Sequence, residues 1–258
     1  MTDAVRAWRP DVPQVRGVLH ATFEQHAYPA HTHEDWTVLL IDDGAVEYRL
    51  ERGRQYAAPA SISLLPPQVP HDGRSAVPGR PFRKRVLYLD EGWLPASLTS
   101  AAIRAPAVLD PRAVAATERV LAAVLEPADA LAAEEGVLAL AALVRGHLGE
   151  PGASTRDAPL ARRLRELLDD RLAEAVTIER AARELGAHPG HLVRVFSQTY
   201  GIPPHRYVIG RRVDRARHLL LQGSSPADAA AAAGFHDQSH LHRHFRRVLG
   251  TTPGSFAA

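Results

Sequence analysis

Apolar residues in the first third of the chain come in short runs or alternate with polar ones, whereas in the last hundred residues they recur every three or four positions. The first pattern suits strands and the second suits amphipathic helices. Residues 36–41, 46–50, 61–65 and 85–89 are the clearest strand candidates, separated by Asp42-Asp43-Gly44, by Glu51-Arg52-Gly53 and by proline-rich turns. Together residues 15–89 predict a small β-barrel with an interior able to hold a ligand. Residues 111–148 are rich in Ala and Leu and predict a helix pair broken near Pro127. Residues 149–157 then lose apolar periodicity and carry Gly, Pro and polar residues, which marks a boundary. The expected architecture is a two-domain α+β chain: a β-barrel followed by helices over residues 1–150, a linker over 151–159, and an all-α domain over 160–258.

The helical third contains an internal repeat. The stretch from Gly234 through Phe235, Asp237, Ser239, His240, Leu241 and Arg243 to Phe245 resembles the one from Leu185 through His191, Leu192 and Arg194 to Phe196, 49 positions earlier. At that offset Ala182 matches Ala231, Gly201 matches Gly250 and Pro204 matches Pro253. Each copy reads as helix, tight turn, helix. In the second, Ser225 is placed to cap a helix with Pro226 first and Asp228 third. Gly234 supplies a residue able to take positive φ, and Asp237 caps the following helix. There Leu241, Phe245, Val248 and Leu249 are expected to face inward, and Ser239, His242, Arg243 and Arg246 outward. In the first copy Thr177 is the expected cap, Leu192, Val195 and Phe196 the buried set, and Gly190, Val193, Arg194 and Ser197 the outward one. Between the copies Pro203 and Pro204 open a helix that carries Val208, Ile209, Val213, Ala216, Leu219 and Leu220 inward and ends at Gly223. Two reading heads on such a spacer can enter successive major-groove segments of double-stranded DNA, roughly one helical turn apart.

Charge agrees with a nucleic-acid partner. Residues 160–258 hold fifteen arginines against nine acidic residues, while the rest of the chain is slightly acidic. Release of counterions from the phosphate backbone draws on such an excess. The chain has no cysteine, which excludes disulfides and thiolate metal sites, and no run of eighteen apolar residues. Its first ten residues include Asp3, Arg6 and Arg9 without an apolar core, so no secretory signal is expected. Residues 31–33 and 66–71 add candidate chemistry, since His31, His33 and His71 could present three ring nitrogens to a divalent transition metal.

These features resemble the AraC/XylS-type transcription regulators, most closely over residues 178–256, through Gly234, Phe235, Asp237, Ser239, Arg243, Phe245, Gly250, Thr252 and Pro253. The resemblance implies two helix-turn-helix units joined by a long helix. It also implies DNA contacts from Gly190, Val193 and Arg194 in the first unit and from Ser239, His240, His242 and Arg243 in the second. Gly190 and Val193 have no side-chain donors, so readout in the first unit should rest on Arg194, with Val193 able to touch a thymine methyl. The first half resembles a cupin through His31-Thr32-His33, with Gly44 eleven residues on, and Pro66-Pro67-Gln68-Val69-Pro70-His71. In this kind of regulator it would sense an effector, with His31, His33, His71 and Trp36 as contacts.

The cupin pattern places a carboxylate where this chain has Thr37 and a glycine where it has Gln68, which weakens a metal site and an oxygen-activating enzyme alike. A cupin-type metalloenzyme with a helical appendage is the alternative to a regulator. The resemblance further implies a homodimer paired through Leu121, Val124, Leu125, Leu138 and Leu143, activation through RNA polymerase, and a cytoplasmic protein without a membrane partner. The alternative role for those leucines and valine is to cover the domain's own core.

Overall fold

Alternation fails at the centre of the first half because its central strands are covered on both faces. The computed structural model describes residues 4–24, 27–51, 53–149, 157–249 and 251–256. The chain divides into two compact units, Met1–Ala153 and Ser154–Ala258. The predicted linker falls mainly on residues 150–156, which lie outside the described residues, as does Gly250.

In the first unit the described elements are β1 (Ala4–Trp8), β2 (Val15–Phe23), β3 (Tyr28–His31), β4 (Trp36–Asp43), β5 (Val46–Leu50), β6 (Gly53–Ala57), β7 (Ile62–Leu65), β8 (His71–Ser75), β9 (Phe82–Leu89), α1 (Thr99–Arg104), β10 (Ala107–Val108), α2 (Pro111–Ala123) and α3 (Ala130–His147). The strands form two antiparallel sheets, in the orders β1-β2-β9-β4-β7-β10 and β3-β8-β5-β6. The interior predicted as a barrel is the space between them. Strand β4 runs between β9 and β7, with Val38 opposite both Leu87 and Leu64. Val38, Leu40, Ile62, Leu64 and Leu87 pack outward onto Trp93, Ala116, Val120, Val137 and Leu140 of the helical layer. Leu39, Ile41, Phe82 and Val86 face the smaller sheet through Val46, Tyr48 and Leu50. Every residue from Trp36 to Ile41 is therefore buried, which is why this strand reads as a continuous apolar run.

Helices α2 and α3 are joined by a short turn at Pro127, as the sequence predicts. Asp110 caps α2 by accepting from the Arg112 amide at 2.8 Å. Leu121, Val124 and Leu138 are buried within this one chain and Leu143 packs against the same core, so the residues considered for pairing protomers serve their own unit. Leu125 alone of that set is exposed.

The second unit contains α4 (Ala158–Asp170), α5 (Ile178–Leu185), α6 (Pro189–Tyr200), α7 (Pro204–Leu221), α8 (Pro226–Ala233), α9 (Gln238–Leu249) and α10 (Pro253–Phe256). Thr177 caps α5 and Ser225 caps α8, each hydroxyl accepting a backbone amide at 3.2 Å, from Arg180 and Asp228 respectively. The long helix α7 ties the unit together. Its Tyr207 hydroxyl donates to the Asp169 carboxylate of α4 at 2.8 Å. Its Arg212 donates to the carbonyls of Leu172 at 2.7 Å and Glu174 at 2.8 Å, holding the turn after α4. Gly234 approaches that same turn so closely that a β-carbon on it would lie 2.6 Å from the Ala173 Cα.

The structure changes the repeat in one respect. Helices α6 and α9 are offset by 49 positions but α5 and α8 by 48, because the second turn holds one residue more. Ala182 therefore corresponds to Ala230, not to Ala231. Both accept the amide that closes the helix end, from Ala187 at 3.0 Å and Phe235 at 2.9 Å, and both are buried, whereas Ala231 is exposed. The apolar face of α9 is also narrower than expected. Leu241 and Phe245 are fully buried, but Val248 and Leu249 near the helix end are 51% and 39% exposed.

Candidate functional site

Two regions gather the residues that the sequence singles out, one in each unit. In the first, strands β3 and β8 and the turn before β4 bring His31, His33 and His71 to one end of the space between the sheets. Their ring centroids are 4.5 Å apart for His31 and His71, and 4.6 Å for His33 and His71. One ring nitrogen of each lies within 4.8 Å of the other two. All three rings are oriented in the same way: Nδ1 of His31 meets the carbonyl of Pro29 at 2.8 Å, that of His33 the carbonyl of Asp35 at 3.0 Å, and that of His71 the carbonyl of Val69 at 2.9 Å. A carbonyl only accepts, so each Nδ1 carries the proton, and in the neutral ring Nε2 keeps the lone pair. Burial lowers the pKa of His71 to about 4 and that of His33 below its ordinary value, which keeps both rings neutral near pH 7. The donor set thus fits a divalent transition metal, with backbone carbonyls orienting the ligands. Thr37 does not supply the missing anionic ligand; its hydroxyl lies 3.1 Å from Nε2 of His33.

These histidines line a cavity of about 70 Å³ with Tyr28, Thr37, Lys84 and Tyr88. Tyr28 is held protonated, its pKa raised to about 12 by burial and the neighbouring Tyr88, and burial raises that of Tyr88 as well. Trp36 is not part of this site. Side chains alternate along β4, so Thr37 faces the cavity while Trp36 turns to the helical layer, where its ring meets Trp93 at 6.1 Å. Lys84, Tyr28 and Tyr88 were not singled out by the sequence reading. The one available signal was that Lys84 is the only lysine beside thirty arginines.

In the second unit, α6 and α9 are each the second helix of a turn-linked pair. His188 caps α6, its Nδ1 accepting from the Gly190 amide at 3.2 Å. Asp237 caps α9 by accepting from the His240 amide at 2.7 Å. On α9, Ser239, His242 and Arg243 are exposed as expected, but His240 is not. At 100° per residue His240 falls on the flank next to His244, one turn on. Its ring stands edge-on to Phe235 at 5.3 Å and to His244 at 4.7 Å, and the residue is buried. It leaves the outward set. On α6, Gly190, Val193 and Arg194 are all partly buried, and Nε of Arg194 is enclosed. The Ser197 hydroxyl donates to the carbonyl of Val193 at 2.7 Å, which occupies it within the helix. Among the described residues no helix is long and apolar enough to cross a membrane.

Comparison with known proteins assigns both regions to one family. A family model for a helix-turn-helix domain matches residues 181–258, and one for an AraC-like ligand binding domain matches residues 17–185. Among curated proteins, an uncharacterized HTH-type transcriptional regulator of Bacillus subtilis is 41% identical over 76 residues, covering 30% of this chain and 28% of that protein. A virulence regulon transcriptional activator of Yersinia enterocolitica is 34% identical over 92 residues, 35% of this chain and 34% of its own length. The RhaS transcriptional activator of Salmonella newport is 36% identical over 103 residues, 40% of this chain and 37% of that protein. The chain thus spans about a third of the length of the curated relatives it matches. Among solved structures, the DNA-binding domain of AdpA in complex with a target DNA aligns at 28% identity with a TM-score of 0.36, over 39% of this chain and 91% of that one. The AraC-like transcriptional activator CuxR aligns over 90% of this chain and 83% of its own at 17% identity and a TM-score of 0.45. With the ligand-binding model alone spanning more than half of its length, the chain belongs to the AraC family of regulators.

Proposed function

We propose that this chain is a sequence-specific DNA-binding transcription regulator controlled by a small molecule held between the sheets of its first unit. The observation that carries the reading is the paired arrangement in the second unit: two capped, turn-linked helix pairs on one long helix, the last presenting Ser239, His242 and Arg243 to solvent. Such helices place their outward residues in the major groove. Arg243 suits bidentate recognition of guanine, and Arg194, Gly190 and Val193 form the smaller contribution of the first pair. The names of the Yersinia and Salmonella relatives favour activation, and hence contact with RNA polymerase. A homodimer belongs to the same reading but gains no support from Leu121, Val124 and Leu138, which are used internally.

The cavity supports effector control, because a ligand that binds one arrangement of the protein more tightly than another shifts the equilibrium between them. The test is selection of binding sites from random duplexes with the full chain, followed by affinity measurements across a salt series. Enrichment of a sequence, with log K falling linearly as log salt rises, is expected. Failure to enrich any sequence, or binding indifferent to salt, would refute the reading.

A further inference from the structure

We propose that DNA binding by the second pair is coupled to the uptake of a proton, and that the imidazole of His242 on α9 receives it. The inference rests on the regulator reading, because it concerns how the same DNA-facing surface responds to pH.

Placement singles out His242. Four of the fourteen histidines of the chain fall within nine residues, at His236, His240, His242 and His244. Three of them are engaged inside the unit. Nδ1 of His236 lies 3.1 Å from the Asp237 carboxylate, His240 is buried edge-on to Phe235, and the His244 ring stacks on Phe235 at 6.3 Å. His242 instead stands exposed beside Arg243 and one turn before Arg246, and among the described residues it forms no hydrogen bond or ion pair. The helices packed on α9 bring it no counter-charge. They meet it through Val213, Ala216 and Leu220 of α7, Ala229, Ala230 and Ala233 of α8, and Phe256 of α10. The charged groups on and beside the exposed face are Arg243, Arg246 and Arg247 on the helix and the His236–Asp237 pair at its start. Asp237 is kept at that end, accepting from the His240 amide at 2.7 Å.

A proton on His242 adds a cation to a face that is already positive, and like charges one turn apart repel. A duplex reverses the balance, since its phosphates favour the charged form of an imidazole held among them. Coupling between two binding events is reciprocal, so the proton favours DNA as much as DNA favours the proton. The protonated ring also donates from both nitrogens where the neutral ring donates from one, which suits the guanine acceptors that Arg243 reads. The first pair has no counterpart. Its outward set, Gly190, Val193, Arg194 and Ser197, contains no imidazole. His188 uses its Nδ1 lone pair to accept from the Gly190 amide at 3.2 Å, so a proton there removes a cap. Acid therefore acts on the two pairs in opposite directions.

The test measures the affinity of the full chain for a selected duplex between pH 8 and pH 6 at constant ionic strength. Binding heats in two buffers of different ionisation enthalpy count the protons taken up. In His188→Asn, whose cap does not titrate, affinity should rise about fivefold as pH falls over this range, the effect of phosphates that strengthen proton binding to an ordinary imidazole about tenfold. The parent should rise by no more than this, and about half a proton per chain should be taken up near pH 7. Adding His242→Gln in the His188→Asn background should abolish both the rise and the uptake, whatever its affinity at pH 8; adding His236→Gln should retain both. A melting curve for each variant verifies that it is folded. Affinity that stays flat in both the parent and His188→Asn, a rise that survives His242→Gln, or one that disappears in His236→Gln would each overturn the proposal and leave sequence-specific binding intact. Failure to enrich any duplex sequence refutes the regulator reading and this inference with it.

Discussion

The two helix-turn-helix pairs of the second unit share a plan and differ in how tightly they are built. The first pair turns at Gly186, where nothing lies within 4 Å of a notional β-carbon; the second turns at Gly234, where the same atom would meet the Leu172 carbonyl at 2.7 Å and the Ala173 Cα at 2.6 Å. The first pair opens on a helix with charged residues at Glu179, Arg180, Arg183 and Glu184, the second on one made almost wholly of alanine. Small side chains and a bare glycine let α8 and its turn settle onto the segment that Arg212 holds. The extra residue in the second turn is accommodated by Phe235, which joins the core with Leu241 and Phe245. At its turn the second pair is therefore the more closely packed, while the first is tied to the rest of the unit elsewhere, through Phe196 against the Tyr207 ring and Glu184 against Arg171.

Alanine at the two glycines offers the strongest test of that contrast. Both glycines have positive φ, +65° at Gly186 and +86° at Gly234, so either substitution carries a backbone cost of about 1–2 kcal/mol. At Gly234 the overlap with backbone atoms, which cannot rotate away, raises the expected loss to about 3 kcal/mol or more. Denaturant unfolding of the two variants measures this. Equal losses would mean that the turn after α4 yields, and the contrast between the pairs would disappear.

The contrast extends to the DNA-facing residues. Arg243 is exposed with Ser239 and His242 beside it, whereas Arg194 is partly buried with its Nε enclosed. Arg243→Ala should cost about 1–3 kcal/mol on a selected site and much less on random duplex, as loss of a base contact does. Arg194→Ala should lose less on the selected site and nearly the same on both kinds of DNA, as loss of a phosphate contact does. Binding measured for both variants on both duplexes decides it; the reverse order would make the first pair the principal reader.

Much of this was legible in the sequence because the signals are local. Ser225, Thr177 and Asp237 cap where residue type and spacing place them, since a cap involves only the next three residues. The strands at 36–41 and 46–50 were visible from apolar runs bounded by turns. What escaped depends on contacts distant in sequence. Periodicity puts Trp36 on a strand but cannot say which of two cores it joins. The burial of His240, whose ring meets Phe235 and His244, and the exposure of Val248 are set by packing that the periodicity of one helix does not contain. Lys84 is separated from His31 by more than fifty residues, and only the pairing of β3 with β8 and of β4 with β9 brings them to one cavity. The one-residue difference between the turns is hidden by the match of α6 with α9, which sets the apparent offset for everything upstream.

The caps of the two second helices supply the smallest and most specific test. Asp237 accepts from the His240 amide and lies beside the His236 ring, and these contacts hold its carboxyl below the usual range. A carboxyl with a lower pKa in the folded state contributes stability above its unfolded value of about 3.9, and that contribution is lost as pH falls through the folded value. Asparagine retains the cap but does not titrate there. The stability difference between the parent and Asp237→Asn should therefore shrink as pH falls below about 4, and the part of it due to His236 is present only where that imidazole is protonated. The cap of α6 is acid-sensitive too, since Nδ1 of His188 accepts from the Gly190 amide and a protonated imidazole cannot; comparing the parent with Asp237→Asn cancels that contribution and isolates the second pair. Backbone amide exchange in α9 of the parent and of the variant across this range localises the effect to the second cap. If the difference persisted unchanged to pH 3, the carboxylate of Asp237 would not be what holds the second cap.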